Sequence, residues 1–208
     1  MSGVDHVEPE AAGGAATGTS EPTPTRTSHL PGTGAMWFFV LGDMVIFGLY
    51  FIAYLAFRAR DVHMYRESQL HLDQNIGFVN TLVLLISSWL MAQAVLAARS
   101  GDLGPSLRRI YGAAGCGILF ILLKLGEWWS EIQAGYTVKT DDFFGFYYML
   151  TGVHLLHVVI GLITLGAVAF RLRTRSRSSA KVVEQGATYW HMVDFLWVLI
   201  FAMVYLVR

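Results

Sequence analysis

The chain has 208 residues, of which 54% are apolar, 13% aromatic and only 14% charged, with a formal net charge of zero. Together with a mean hydropathy of +0.49, this excludes an ordinary water-soluble domain and gives no charge excess with which to hold nucleic acid. One cysteine, Cys116, excludes a disulfide framework or a cysteine-based metal centre built from these residues.

Residues 1–34, with the stretch EAAGGAATGTSEPTPTRTS, hold too little apolar surface to offset the entropy of ordering them and are expected to form a disordered polar tail. The basic start followed by an apolar core that marks a signal peptide is missing. Beyond the tail, residues 35–208 form one unit. A hydrocarbon layer about 30 Å thick needs roughly 20 mostly apolar residues per helix. Five segments meet that requirement: 35–57, 76–98, 109–133, 144–170 and 187–207. The expected fold is all-α, an integral membrane bundle of five transmembrane helices.

The basic residues predict its orientation. With the N-terminus inside, that side carries Arg26, Arg99, Arg108, Arg109, Arg171, Arg173, Arg175, Arg177 and Lys181. The other side carries only Arg58, Arg60, Arg66, Lys139 and Arg208. The excess places the N-terminus in the cytoplasm and the C-terminus outside, in a multi-pass protein of the cell membrane. The loop RLRTRSRSSAK dominates the excess, as a topology anchor that also meets anionic lipid, or as a docking site.

Polar groups inside the spans come next, because an ionisable side chain in hydrocarbon needs a partner or water. There are eight: Asp43, Lys124, Glu127, Glu131, His154, His157, His191 and Asp194. Lys124, Glu127 and Glu131 stand at i, i+3 and i+7, one stripe of the third span, where the lysine pairs with the nearer carboxylate. His154 and His157 share a face of the fourth span, and His191 and Asp194 one of the fifth, close to its start. At 1.5 Å per residue, Asp43, His191 and Asp194 lie within about two turns of the inner ends, so that a water-accessible inner cluster can form there. His154 and His157 lie deeper, with Glu127 or Lys124 as their expected polar company.

Haem in a bundle requires axial histidines on facing helices at matched depth, and a di-metal carboxylate site requires Glu-x-x-His on two helices. Neither pattern is present, so no metal or haem ligand set is assigned. The histidines are either hydrogen-bonded across helices or proton-handling groups. Ser87, Ser88 and Cys116 lack the surroundings of a nucleophile. Gly112, Gly115, Gly117, Gly152 and Gly161 read as points of close backbone approach, and Trp37, Trp128, Trp129, Tyr189 and Trp190 as interface anchors. No proline falls within the five segments, which argues against the broken spans of a transporter.

The order of five stretches carries a resemblance. LGDMVIFGLYFIAYLAFRAR, FVNTLVLLISSWLMAQAVLAAR, LLKLGEWWSEIQAG, FGFYYMLTGVHLLHVVIGL and YWHMVDFLWVLIFAMVYL resemble the last five helices of cytochrome c oxidase subunit III. The runs TGVHLLHVVIGL and YWHMVDFLW are the most specific. The resemblance implies a non-catalytic subunit of a respiratory complex that transports electrons aerobically and translocates protons. It implies no cofactor on this chain, haem and copper on a catalytic subunit I beside it, phospholipid between helices, and support of proton uptake, assembly and stability. His154 and His157 would then be packing and hydrogen-bonding residues.

Two departures qualify this. Larger family members have two further N-terminal helices where the tail stands here, which puts their lipid cleft in doubt. LGDM also stands where oxidase subunits show Ser-Glu, so Asp43 occupies the position of a membrane glutamate, shortened by one methylene. With FVNTLVLLISSW, that aspartate resembles the accessory form associated with nitric oxide reductases, whose large subunit is the alternative partner. A stand-alone proton-handling or haem-binding membrane protein is the reading from a different class.

Overall fold

A computed structural model of the chain describes residues 34–174 and 179–207. Within them lie α1 (Gly34–Arg58), α2 (Val62–His71), α3 (Gln74–Arg99), α4 (Leu103–Gln133), α5 (Asp142–Thr174) and α6 (Ser179–Phe201), the last continuing into a π-helical turn, Ala202–Leu206. No strand occurs among the described residues. All but α2 are long and apolar enough to cross a membrane, which bears out the five-span all-α bundle. The expected disorder of the tail lies outside the described residues, except that Gly34 already belongs to α1. Arg175 and Arg177 of the basic loop also lie outside them.

The helices alternate in direction. The starts of α1, α4 and α6 and the ends of α3 and α5 share one face of the bundle, called here the near face, and α2 lies at the far face. Three helices are longer than hydropathy suggests: α4 starts at Leu103 rather than 109, α5 runs to Thr174, and α6 starts at Ser179 rather than 187. Hydropathy marks hydrocarbon, whereas backbone hydrogen bonding continues through the Arg, Lys and Glu residues beyond it, which are good helix formers. At 31 and 33 residues, α4 and α5 are about 46 and 50 Å long and exceed the hydrocarbon thickness. Pro105 therefore falls inside a helix after all. It sits in the first turn of α4, where its missing N–H is not needed.

The α3–α4 hairpin is tight because small residues line it. Ala94, Ala97, Ala98 and Ala113 are buried, and Ser87 and Ser106 donate across the seam to the carbonyls of Ala113 and Ala94, both at 2.9 Å. The turn closes at Gly101, whose φ of +86° suits glycine. Helix α6 occupies the centre, packed on α3 and α5. Of its apolar window 61% is buried, against 22% for α1, which leans on α5 and α6 from the periphery.

Trp190 of α6 is fully buried rather than an interface anchor, and Tyr189 beside it is buried too. Its indole fills a slot left by two glycines. A Cβ on Gly117 would come within 2.7 Å of Trp190 Cη2, and one on Gly161 within 2.8 Å of Trp190 Cε3. These glycines thus admit a side chain rather than a second backbone, and Gly115 has nothing within 4 Å. The indole N–H donates to Ser87 Oγ at 2.9 Å.

Helix α2 was not legible in the hydropathy because it is short and polar. Asp61 caps it, accepting from the Met64 N–H at 3.0 Å. Its inward face carries Tyr65, Ser68 and Gln69. Tyr65 packs edge-on against Tyr54 and Phe143, and burial, with Asp142 nearby, pushes its phenol well above the usual tyrosine range. Ser68 Oγ donates at 2.7 Å to Asp141, which in turn accepts the Phe144 N–H and so caps α5.

Gln69 serves the far end of α6. A π-helical turn followed by the chain's last described residues leaves carbonyls without helical partners. Gln69 Nε2 donates to those of Val204 and Val207 at 3.0 Å each, Gln74 Nε2 to that of Tyr205 at 2.6 Å, and the Tyr54 hydroxyl to that of Met203 at 3.2 Å. Gln69→Leu should therefore cost about 1 to 3 kcal/mol. Hydrogen exchange at residues 203–207 should quicken selectively; unchanged protection there would show that α2 does not hold this end.

Candidate functional site

The stripe expected on α4 is present and faces inward: Lys124, Glu127 and Glu131 are all buried. Lys124 Nζ donates to Glu127 Oε2 at 3.1 Å and, in geometry, meets the Tyr147 and Tyr205 hydroxyls at 3.2 and 2.6 Å. Both phenols donate to Glu127 Oε1, Tyr147 at 2.8 Å and Tyr205 by a shorter contact. The ammonium also lies over the rings of Tyr147, Trp197 and Tyr205, the arrangement that stabilises a desolvated cation. One positive and one negative charge, two phenols and three aromatic faces thus close on themselves between α4, α5, α6 and the π-helical turn. The lysine and the glutamate are legible from their spacing. Tyr147 and Tyr205 stand in runs of aromatic residues where nothing separates a network tyrosine from a packing one.

His154 is fully buried at mid-bundle, yet neither ring nitrogen has a hydrogen-bond partner among the described residues. Phe120 meets it edge-on at 5.6 Å and Trp197 lies tilted against it at 5.2 Å. The expected cross-helix hydrogen bond is not made among the described residues; of the expected polar company, Lys124 is near enough to act on the imidazole through its charge, with the Trp197 ring against both. An unpaired imidazole among such rings is a cost rather than a tie. His154→Leu is therefore expected to leave the thermal midpoint unchanged or raise it. A clear fall in a melting curve would reveal a polar tie.

The other histidine of the pair, His157, lies at the α1–α5 seam. Its Nδ1 lies 2.7 Å from the Val153 carbonyl and its Nε2 3.4 Å from Asp43 Oδ2. Phe47 packs edge-on against the ring. Of the three groups expected to form an inner cluster, His191 and Asp194 share Ser88 as a polar neighbour, and Asp43 stands apart from them. Asp43 goes to His157, while His191 Nδ1 goes to Ser88 Oγ at 2.6 Å. Asp194 is buried with no hydrogen bond of good geometry, and the Ser88 hydroxyl is its polar neighbour. Because α6 starts at Ser179, His191 and Asp194 lie three turns or more inside it, not at its start.

At the near face, Arg99 Nε pairs with Glu184 at 2.7 Å across α3 and α6. Arg173 lies over the ring of Tyr111, and Arg171, Arg173 and Lys181 are exposed. Among the described residues no group of three or more His, Cys, Asp or Glu side chains is arranged to hold a metal ion.

The interior is thus a closed ion pair, an aspartate–histidine seam and a layer of rings, within five spans. A family model described as cytochrome c oxidase subunit III matches residues 33–207. The chain belongs to the cytochrome c oxidase subunit III family. Among curated relatives of this subunit III chain, a cytochrome c oxidase subunit 3 from Synechocystis is 34% identical over 177 residues, covering 83% of this chain and 74% of the relative. A quinol oxidase subunit 3 from Bacillus subtilis is 27% identical, with 82% of this chain and 84% of the relative covered. A haem-copper oxidase subunit I+III from Aeropyrum pernix is 29% identical over 181 residues, and there the chain spans only 22% of the relative.

Proposed function

We propose that the chain is the non-catalytic accessory subunit of a haem-copper terminal oxidase, packed beside a catalytic subunit I that carries the haem and copper. The match to the subunit III family over residues 33–207 is the observation that carries this reading. A relative in which the two subunits are named as one chain supports the pairing. In this reading the bundle supports assembly, stability and proton uptake of its partner, and phospholipid lies against its apolar faces. The excess of Lys and Arg at the near face supports a cytoplasmic N-terminus, an outward C-terminus and residence in the plasma membrane. Arg171, Arg173, Arg175, Arg177 and Lys181 anchor that orientation.

A nitric oxide reductase large subunit is the second partner reading, and rests on the aspartate at position 43. A tagged chain purified from its native membrane in mild detergent separates the two. Copurification of an a-type haem band in a reduced-minus-oxidised spectrum is the expected result. Haem of b- and c-types with no a-type band would move the chain to the reductase. A colourless preparation that retains no large subunit would overturn the accessory reading.

A further inference from the structure

Midway along the outer seam of α3 and α6 stands a polar pair that the bundle only half covers. His191 Nδ1 meets Ser88 Oγ at 2.6 Å, and both residues are half-buried. Whichever of the two donates, His191 Nε2 is left with no partner among the described residues. Ser88 lies about 16 Å from the near end of α3 and about 21 Å from its far end, and His191 holds a matching place in its own span. The pair therefore stands at mid-depth in the hydrocarbon, where a polar atom needs a partner that acyl chains do not supply.

From His191 a groove of about 320 Å³ leads to the near face, walled by Val95 and Leu96 of α3 and Ala187 of α6, with Arg99 and Glu184 at its mouth. Glu184 engages Arg99 through Nε, and the two terminal amino groups of the guanidinium donate no hydrogen bond among the described residues. The groove thus has an unfilled cationic donor at its mouth and an unpaired imidazole nitrogen about 16 Å deeper, with an apolar wall between. That spacing selects the occupant. A phospholipid can set its phosphate on Arg99, but its acyl chain then lies over His191 and leaves Nε2 unpaired. A transmembrane helix can meet both, with an acceptor near its end for Arg99 and a hydrogen-bonding side chain about eleven residues further in. Ala92, exposed in the groove, puts no bulk in the way of its backbone.

We propose that the α3–α6 groove seats a transmembrane helix of the catalytic large subunit, held by hydrogen bonds to His191 at mid-depth and to Arg99 at the near face. This rests on the accessory reading and gives that reading a docking surface. The outer faces of α1 and α5, with residues such as Leu49 and Ile163, are left to lipid.

The test keeps the tagged full chain in its native membrane. Photoreactive benzoylphenylalanine replaces Ala92 or Leu96 in the groove, and Leu49 or Ile163 as controls. After irradiation, the peptides joined to the chain are identified by mass spectrometry. The groove positions are expected to join one transmembrane segment of the large subunit, and the control positions to join lipid. Two variants test the seat itself. Ala92→Trp fills the groove from its exposed wall and should lose the large subunit in detergent washing, while the melting midpoint of the chain alone stays at the wild-type value. His191→Leu should speed release of the large subunit about three- to thirtyfold, the factor that one hydrogen bond between membrane helices contributes. Groove positions that join only lipid, or a second copy of this chain, overturn the assignment, and so does wild-type retention of the large subunit by both variants. Either result with the large subunit still copurifying spares the accessory reading, whereas an unmodified chain that brings down no large subunit overturns both.

Discussion

Lys124→Met should destabilise the bundle by about 3 to 5 kcal/mol, the usual consequence of removing one member of a buried ion pair. The loss arises less from the missing attraction than from what stays behind. Glu127 would remain ionised in a dry interior with only two phenols as donors, or would have to take up a proton and give up the role of double acceptor for Tyr147 and Tyr205. The companion change separates the two contributions. Adding Glu127→Gln removes the stranded charge while keeping an acceptor for the phenols, and should recover most of the loss. Unfolding followed by circular dichroism in mixed micelles checks both. If the single variant matches wild type, or the double variant is no better than the single, the ion pair is not what holds α4, α5 and α6 together at this level.

The second large effect lies at Trp190. Trp190→Ala empties the slot between Gly117 and Gly161 and strips Ser87 of its indole donor, at a cost of about 3 to 5 kcal/mol. Gly161→Val should be damaging for the opposite reason, since even its Cβ would stand 2.8 Å from the indole. Together they should not add, because the space that one opens is the space that the other needs. Simple additivity in a double-mutant cycle would mean that the slot relaxes independently of its occupant.

Much of this bundle was legible, and the misreadings share a cause. Apolar runs longer than a bilayer is thick leave few alternatives, and a lysine with two glutamates at i, i+3 and i+7 names one helix face. What hydropathy does not report is where helices stop. Starting α6 at 187 made Tyr189 and Trp190 look like residues at the interface and placed His191 and Asp194 near a surface. Packing corrects the reading: Trp190 fills the slot between Gly117 and Gly161, Tyr189 and Asp194 are buried beside it, and His191 is half-buried. Helix α2 was missed although a cue existed, with Asp61 followed by Tyr65, Ser68 and Gln69 at helical spacing. Hydrogen-bond partners were the least legible of all. Spacing along one helix shows which side chains share a face, but not that rings of Phe120 and Trp197 would occupy the place of a donor beside His154.

The most enclosed span of this bundle is also the last of the five to be synthesised. Before α6 enters the membrane, Lys124 and Glu127 have no Tyr205, Ser87 has no indole to receive, and the glycines of α4 and α5 border an open furrow. The four earlier spans therefore wait as a half-built cup whose polar lining faces lipid. Chain elongation itself sets the moment of closure: arrival of Trp190, Trp197 and Tyr205 converts a loose set of hydrophobic helices into one cooperative unit.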